Sequence, residues 1–131
     1  MLTKTSKQLV RALVELARLP EGQWLGVGVI AARIKAPQNY LGKMLQGLAS
    51  TGLVVSQKGL GGGFRLGKSA QDITLFDVVE PVEQVNVWSG CALGLKKCLD
   101  TSPCAVHYQW KKVKEQYLKF LKDTTILSLV R

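Results

Sequence analysis

The chain has 131 residues, 47% of them hydrophobic, which fits one compact domain with an appendage and excludes wholesale disorder. No apolar run reaches the about 18 residues of a membrane span, and the charged N-terminal segment differs from a signal peptide, so we expect a cytoplasmic protein with no membrane partner. The net charge is +9, and residues 22–71 contain no acid but six cations, Arg33, Lys35, Lys43, Lys58, Arg65 and Lys68. A surface of one sign attracts phosphates, which favours a nucleic-acid partner over a merely solvated basic face.

Hydrophobic periodicity predicts three helices in the first part of the chain. The first covers about residues 5–19, where leucines recur at helical spacing. A short strand at 24–25 and a second helix at about 27–34 follow. The third helix begins at Pro37, because a proline at the first helical position loses no hydrogen bond.

The third predicted helix has one apolar and one polar face. The apolar stripe contains Tyr40, Leu41, Met44, Leu45 and Leu48. The opposite face carries side chains that hydrogen-bond bases or phosphates, namely Gln38, Asn39, Lys43 and Gln46. Two short helices joined by a tight turn make a helix-turn-helix, whose second helix enters the major groove of DNA. An ordinary amphipathic surface helix has the same pattern, so this helix alone does not decide between the two.

A glycine-rich hairpin is predicted after the third helix. Strands at 53–55 and 64–66 flank a segment in which five glycines fall between Gly59 and Gly67. Glycine permits positive φ and close approach to another surface. With basic residues at its tip and base, this hairpin is typical of a DNA-binding wing. It is not a phosphate-binding P-loop, because no Gly-Lys-Ser/Thr sequence precedes a helix.

The C-terminal part is predicted to be helical around a loop. A short helix covers about residues 73–79, with Asp72 as its candidate cap. Pro81 marks the end of the DNA-binding unit, and residues 83–103 are loop-like. A long amphipathic helix then runs over about 104–122, and a short apolar helix covers 124–130. The apolar stripe of the long helix is formed by Val106, Trp110, Val113, Tyr117, Phe120 and Leu121. Pairing with the same helix of a second copy is the simplest way to cover this stripe.

These elements predict a mainly α fold with a small β-hairpin wing. Residues 1–80 form a winged helix-turn-helix DNA-binding domain, and residues 81–131 form a cysteine-containing loop and a long dimerisation helix.

The three cysteines and the one histidine of the chain lie close together in sequence, with the spacing C-x6-C-x5-C-x2-H for Cys91, Cys98, Cys104 and His107. Thiolates suit iron–sulfur clusters and zinc, and three of them require a fourth ligand. His107 follows Cys104 by one helical turn, so both lie on one helix face. A Cys₃His set favours a 2Fe–2S cluster over a 4Fe–4S cluster. A structural zinc site and an uncoordinated thiol sensor stay open, although zinc sites generally use closer cysteine pairs.

The chain resembles the Rrf-two family of bacterial winged-helix transcription regulators, of the IscR- and NsrR-like kind. The resemblance covers essentially the whole chain, and its most specific parts are GLVVSQKGLGGGFRL at 52–66, DITLFDVVE at 72–80 and the three-cysteine loop. It implies a homodimer with crossed long helices that binds a palindromic operator in double-stranded DNA.

The resemblance also implies which residues bind DNA and the cofactor. The recognition-helix contacts are Gln38, Asn39, Tyr40 and Lys43, and the wing contacts are Lys58, Gly59 and Gly61, with Arg65 at the base of the wing. The family's cluster-binding members have a histidine at the offset of His107. They have a glutamate at the position of Gly42, where it discriminates between operators, so the operator of this chain does not follow from the resemblance. The nitric-oxide sensors use a carboxylate from the first helix of the other subunit, but this chain has no acid before Glu15.

The sequence therefore predicts a DNA-binding transcription regulator that senses redox state, iron–sulfur status or nitric oxide through an iron–sulfur cluster. The alternative is a winged-helix regulator with structural zinc, or with a thiol or small-molecule sensor and no cluster. An enzyme such as a thiol oxidoreductase is disfavoured, because the chain lacks a C-x-x-C motif and has no recognisable nucleophile with an acid–base pair.

Overall fold

The computed structural model describes residues 2–83 and 107–130. In chain order, the elements are α1 (Lys4–Ala17), α2 (Val27–Ile34), α3 (Gln38–Ser50), β1 (Val54–Gln57), β2 (Gly63–Leu66), a 3₁₀ turn (Ala70–Asp72), α4 (Leu75–Glu83), α5 (His107–Asp123) and α6 (Ile126–Leu129). The predicted mainly helical fold with one antiparallel hairpin is confirmed.

The helices surround one hydrophobic core. The buried face of α1 contributes Leu9, Leu13 and Leu16, and α3 contributes leucines at the positions that its periodicity predicted. Tyr117 and Leu121 of α5 belong to the same core. The described part of the C-terminal region therefore packs on α1 and α4. The division of the chain at residue 80 and the pairing of α5 with a second copy stay predictions.

Backbone hydrogen bonds attach the hairpin and α6 to this core. The short strand predicted at 24–25 is reduced to a bridge, in which the Leu25 amide donates to the Phe64 carbonyl (2.9 Å) and the Phe64 amide donates to the Leu25 carbonyl (2.8 Å). At the other end of the core, the Ile126 amide donates to the Ile73 carbonyl (2.8 Å). The first bridge fixes the hairpin against the start of α2, and the second fixes α6 beside the start of α4.

The fourth helix differs from its prediction at both ends. Thr74, not Asp72, caps α4: its hydroxyl accepts from the Asp77 amide (3.2 Å), while the Asp77 carboxylate accepts from the Thr74 amide (3.0 Å). This reciprocal arrangement is a capping box. The helix also extends beyond its predicted end at about residue 79, because α4 continues through Pro81 to Glu83. Pro81 lies on the exposed side, and the burial of Val78 and Val79 holds the helix despite the missing amide donor.

The turn between α2 and α3 contains the one non-glycine residue with positive φ among the described residues. Lys35 has φ 57° and ends α2 in the left-handed region. Such a conformation costs an L-residue about 1–2 kcal/mol. Pro37 then precedes α3 as its N-cap rather than as its first residue.

Gly63→Ala should destabilise the fold by about 2–4 kcal/mol, because the added Cβ would lie 2.3 Å from the Leu25 carbonyl oxygen at a φ of +141°. Gly47→Ala is the matched control: it lies within α3, its Cβ would meet nothing within 4 Å, and it should stabilise the fold by up to about 1 kcal/mol. Urea unfolding followed by circular dichroism measures both effects. Equal stabilities of the two variants would contradict the close packing of the hairpin on Leu25.

The folded chain should lose stability at alkaline pH because of Tyr117. Burial raises the pKa of its phenol above the ordinary value, and the negative charge of Glu83 raises that pKa further. The folded chain therefore keeps a proton that the unfolded chain releases. The stabilisation of the fold that the protonated Tyr117 contributes is complete below about pH 10, and it is lost as the pH rises from there through the folded-state pKa.

The measurement is the urea midpoint at about pH 9 and about pH 11, on either side of the tyrosine titration. Tyr117→Phe should reduce the fall in midpoint between the two, whereas Tyr108→Phe, an exposed tyrosine on the same helix, should leave it as in the wild type. The same fall in all three proteins would show that Tyr117 does not cause it.

Candidate nucleic-acid interface

The polar face of α3 is exposed and borders a cleft. Leu41, Leu45 and Leu48 are buried, while the side chains predicted on the opposite face point outward. The cleft has a volume of about 480 Å³ and is lined by Val27, Gln38, Asn39, Gly42, Lys43, Gln46 and Phe64. It brings together three of the predicted recognition-helix residues with one residue of α2 and one of β2. Gln46 lies in the same cleft, although the family resemblance did not assign it a role.

Gly28 of α2 and Gly42 of α3 each lie near a side chain of the other helix. A Cβ built on Gly28 would lie 3.4 Å from Oε1 of Gln38, so the Gln38 side chain lies over the backbone of α2. A Cβ on Gly42 would meet only Cγ2 of Val27, at 3.7 Å, which is ordinary contact. Gly42 therefore leaves open space where the cluster-binding relatives of the resemblance have a glutamate.

Tyr40 lies beside this face and contacts α1. Its hydroxyl lies 3.0 Å from Oγ1 of Thr5, in the first turn of α1, and 46% of its surface is exposed. Its ring lines a second groove that Lys43 also borders. The predicted DNA contact is thus held by a residue 35 positions away, a contact that sequence periodicity does not reveal.

The tip of the hairpin is exposed and built on left-handed glycines. Gly59 and Gly61 have φ values of 95° and 77°, with no neighbour within 4 Å of an added Cβ. Lys58 and Leu60 project from the same tip, and the side chain of Leu60 is fully exposed. Leu60 was not singled out from the sequence, because one leucine in a glycine loop has no periodicity to mark it.

The other glycines of the hairpin serve close backbone packing. An added Cβ would lie 2.2 Å from the Gln57 carbonyl oxygen at Gly62 and 2.3 Å from the Gly52 carbonyl oxygen at Gly67. The glycine-rich sequence therefore combines two requirements: positive φ at the tip, and close contact between backbones beside the tip, at Gly62, and at the base, at Gly67.

Arg65 is held at the base of the hairpin. Its guanidinium carbon lies 4.2 Å from the ring centroid of Trp24, a cation–π contact. Arg65 pairs with Val55 across the hairpin, one residue from the buried Phe64. Its charge is thus fixed by an aromatic ring at the hairpin base, while Lys58 projects from the tip.

Most cations of the acid-free stretch have no carboxylate partner among residues 2–83 and 107–130. Arg33 lies 3.4 Å from Glu15, which also pairs with Arg18 at 3.0 Å. No carboxylate of the described residues lies within 4.0 Å of Lys35, Lys43, Lys58 or Lys68. The positive charge around α3 and the hairpin is therefore not neutralised within the described chain, which favours binding of a polyanion.

The predicted cofactor ligands lie largely outside the described part of the chain. This holds for Cys91, Cys98 and Cys104, while His107 is the first residue of α5. Within the described residues, no group of three or more histidine, cysteine, aspartate or glutamate side chains could hold a metal ion.

A helix-turn-helix followed by a two-stranded hairpin defines a winged-helix protein, the class to which the prediction assigned the chain. The Rrf2 family model, described as an iron-dependent transcriptional regulator, matches residues 2–131. The chain therefore belongs to the Rrf2 family of transcription regulators, and the family resemblance inferred from the motifs is confirmed.

A relative agrees with this assignment, and solved structures have the same fold. A protein of Aquifex aeolicus (strain VF5), described as an HTH-type transcriptional regulator, is 36% identical, with 91% of this chain and 85% of that protein covered. The structure of CymR, described as the global cysteine regulator of B. subtilis, has a TM-score of 0.80 at 22% identity, covering 98% of this chain and 95% of that one. T. potens IscR has a TM-score of 0.77 at 24% identity, covering 98% of this chain and 85% of that one. The oxidized form of Staphylococcus aureus CymR has a TM-score of 0.79 at 19% identity, covering 100% of this chain and 96% of that one.

None of the helices in the described ranges has the length and apolar character needed to cross a membrane.

Proposed function

We propose that this Rrf2 regulator binds double-stranded DNA with α3 and the β1–β2 hairpin acting together, and that Cys91, Cys98, Cys104 and His107 hold an iron–sulfur cluster that regulates this binding. The observation that carries the DNA-binding part is the cleft shared by α3, α2 and the root of the hairpin, because it joins the recognition helix and the wing in one surface. Lys43 in this cleft and Lys58 at the tip of the hairpin, which have no carboxylate within 4.0 Å among the described residues, supply the attraction for phosphates.

In this proposal α3 enters the major groove and the hairpin follows the adjacent backbone or minor groove. Gln38 and Asn39 have amide side chains, which pair with the exposed edge of adenine. Lys43 and Lys58 contact phosphates, Tyr40 adds a hydroxyl, and Arg65 supports the base of the hairpin. Gly59 and Gly61 allow the backbone of the tip to approach the duplex closely.

A homodimer on a palindromic operator is part of the proposal. α5 carries apolar side chains that the described chain leaves open to solvent, namely Val113, Phe120 and Tyr108, with exposures of 45%, 48% and 60%. These lie outside the core formed by Tyr117 and Leu121. A second copy of α5 covers them without requiring another protein, and a twofold dimer reads two half-sites of opposite direction.

The donor set fits an iron–sulfur cluster chemically. Three thiolates and one imidazole are soft and intermediate donors of the kind that iron–sulfur clusters accept, with 2Fe–2S favoured over 4Fe–4S. A bound cluster would supply sensitivity to oxidants, iron supply or nitric oxide. His107 begins α5, so a ligand at this position links the cysteine segment directly to the helix whose inner face packs on the core.

A thiol sensor without a cluster is the second candidate. The comparison with CymR favours it, since one of the similar structures is described as an oxidized form. In this case Cys91, Cys98 and Cys104 act through their own oxidation, and His107 has no ligand role. Structural zinc is the remaining alternative for the same four residues.

Lys58→Ala should weaken binding to a duplex selected by the protein from random sequences. Removing one phosphate contact should also reduce the slope of log Kobs against log salt by about 1. Lys119→Ala, an exposed lysine on α5, is the matched control and should change neither quantity. Fluorescence anisotropy at several salt concentrations measures both. A wild-type slope in Lys58→Ala would remove this lysine from the interface.

The cofactor is tested on protein purified without oxygen, by its absorption spectrum and by iron and sulfide analysis. Visible absorption bands with equal iron and sulfide are expected, and the iron content per chain distinguishes 2Fe–2S from 4Fe–4S. Cys98→Ala should lose this content while the dimer remains folded.

Other results would identify the alternatives. Colourless protein that retains zinc would indicate the structural zinc site. Protein without metal even after reconstitution, whose duplex affinity changes on thiol oxidation, would indicate the thiol sensor. Normal cluster content in Cys98→Ala would contradict the ligand assignment.

A further inference from the structure

The first turn of α1 lies against the recognition helix through one polar contact. Oγ1 of Thr5 and the hydroxyl oxygen of Tyr40 are 3.0 Å apart, a hydrogen bond in which either atom can donate. Thr5 carries no charge, lies outside the cleft and belongs to no motif identified in the sequence. Its hydroxyl nevertheless contacts a side chain that the proposed function places on DNA.

The backbone at Thr5 is fixed from both sides. On one side, Thr3 caps α1, because its Oγ1 accepts from the Ser6 amide at 3.1 Å. The Thr3 amide in turn donates to Oε1 of Glu83, at the end of α4, over 2.7 Å. On the other side, Ser6 is completely buried. The Thr5 hydroxyl is therefore presented from a turn that is fixed by a hydrogen bond to α4 and by the burial of Ser6.

The chemistry of hydroxyl groups gives this contact a direction when DNA is bound. A phosphate oxygen only accepts hydrogen bonds, so a tyrosine hydroxyl that contacts it must donate its one proton to it. Thr5 must then be the donor to Tyr40, whose oxygen has lone pairs left to accept. Such a chain of two hydrogen bonds strengthens the outer one.

We infer that Thr5 is a positioning residue for DNA binding: it acts through the Tyr40 hydroxyl, which it holds and polarises toward a phosphate beside Lys43. Lys43 follows Tyr40 by one turn of α3 and borders the same groove, so the hydroxyl and the ammonium form a pair suited to one phosphate. The inference rests on the proposed DNA-binding function and extends the interface to a residue that does not itself touch DNA.

A double-mutant cycle with the full-length protein tests it. Affinity for a fluorescent duplex selected by the wild-type protein is measured for Thr5→Val, Tyr40→Phe and the double variant. Thr5→Val should bind about 3- to 10-fold more weakly, the worth of one neutral hydrogen bond, and Tyr40→Phe, which loses a hydrogen bond to a charged phosphate, about 10- to 100-fold more weakly. The double variant should bind no more weakly than Tyr40→Phe alone, because Thr5 acts through the hydroxyl that this variant lacks. Thr5→Ser, which retains a hydroxyl, should bind with wild-type affinity.

Two further readouts separate positioning from a general loss of structure. Valine and threonine have similar helix propensities, so the urea midpoint of Thr5→Val should stay close to that of the wild type. The salt slope should also be unchanged, because neither hydroxyl releases a counterion. A lowered urea midpoint that accounts for the weaker binding would overturn the inference.

The outcomes also distinguish this inference from the proposed function. Duplex binding that Thr5→Val leaves unchanged, or losses from the two single variants that add in the double variant, would overturn the role of Thr5 alone. A wild-type protein that selects no duplex would contradict the proposed DNA-binding function itself.

Discussion

Two backbone hydrogen bonds between Leu25 and Phe64 fix the arrangement on which the whole interface depends. They join the residue that precedes α2 to the second strand of the hairpin, at 2.9 and 2.8 Å. Because α2 packs on α3, this bridge sets the hairpin and the recognition helix relative to each other. It requires a glycine at position 63, where any side chain would collide with the Leu25 carbonyl. The wing is thus a rigid extension of the helix-turn-helix.

The same arrangement determines where the positive charge lies. The acid-free stretch of residues 22–71 forms α2, α3 and the hairpin, so its cations lie on these elements, with Lys43 in the cleft and Lys58 at the tip of the hairpin. Arg33 and Arg65 are held by Glu15 and by Trp24, while lysines at the cleft and at the tip keep their charge for a partner. The two arginines therefore contribute to the scaffold, and the lysines supply an attraction for phosphates that decreases with salt.

Much of the fold follows from the sequence, because its signals are local. Leucine periodicity predicted α1 and α3, and the glycine hairpin between β-branched and aromatic residues predicted the wing. The fourth helix extends past its predicted end at about residue 79 and through Pro81, since burial of Val78 and Val79 outweighs a single missing amide donor. Local propensity contains no information about that packing.

The candidate site was predictable in part. The polar face of α3 and the tip of the hairpin are local patterns, and the structure brings Gln38, Asn39 and Lys43 together in one cleft. The contacts of Thr5 with Tyr40 and of Trp24 with Arg65 join residues far apart in sequence, and only the folded chain reveals them. The cysteine ligand set is the reverse case, because its spacing and chemistry carry the argument without a described geometry.

The joint action of helix and wing is tested most directly by footprinting the wild-type protein on a selected duplex. Methylation of guanine N7 reports the major groove, and hydroxyl-radical cleavage reports the backbone and minor groove. The account predicts that each half-site has a major-groove contact with protected backbone immediately beside it. It also predicts that the two half-sites are related by a twofold axis and that their centres lie about one helical turn, or a multiple of it, apart. Major-groove contacts without adjacent protection would contradict the rigid coupling of the wing to α3.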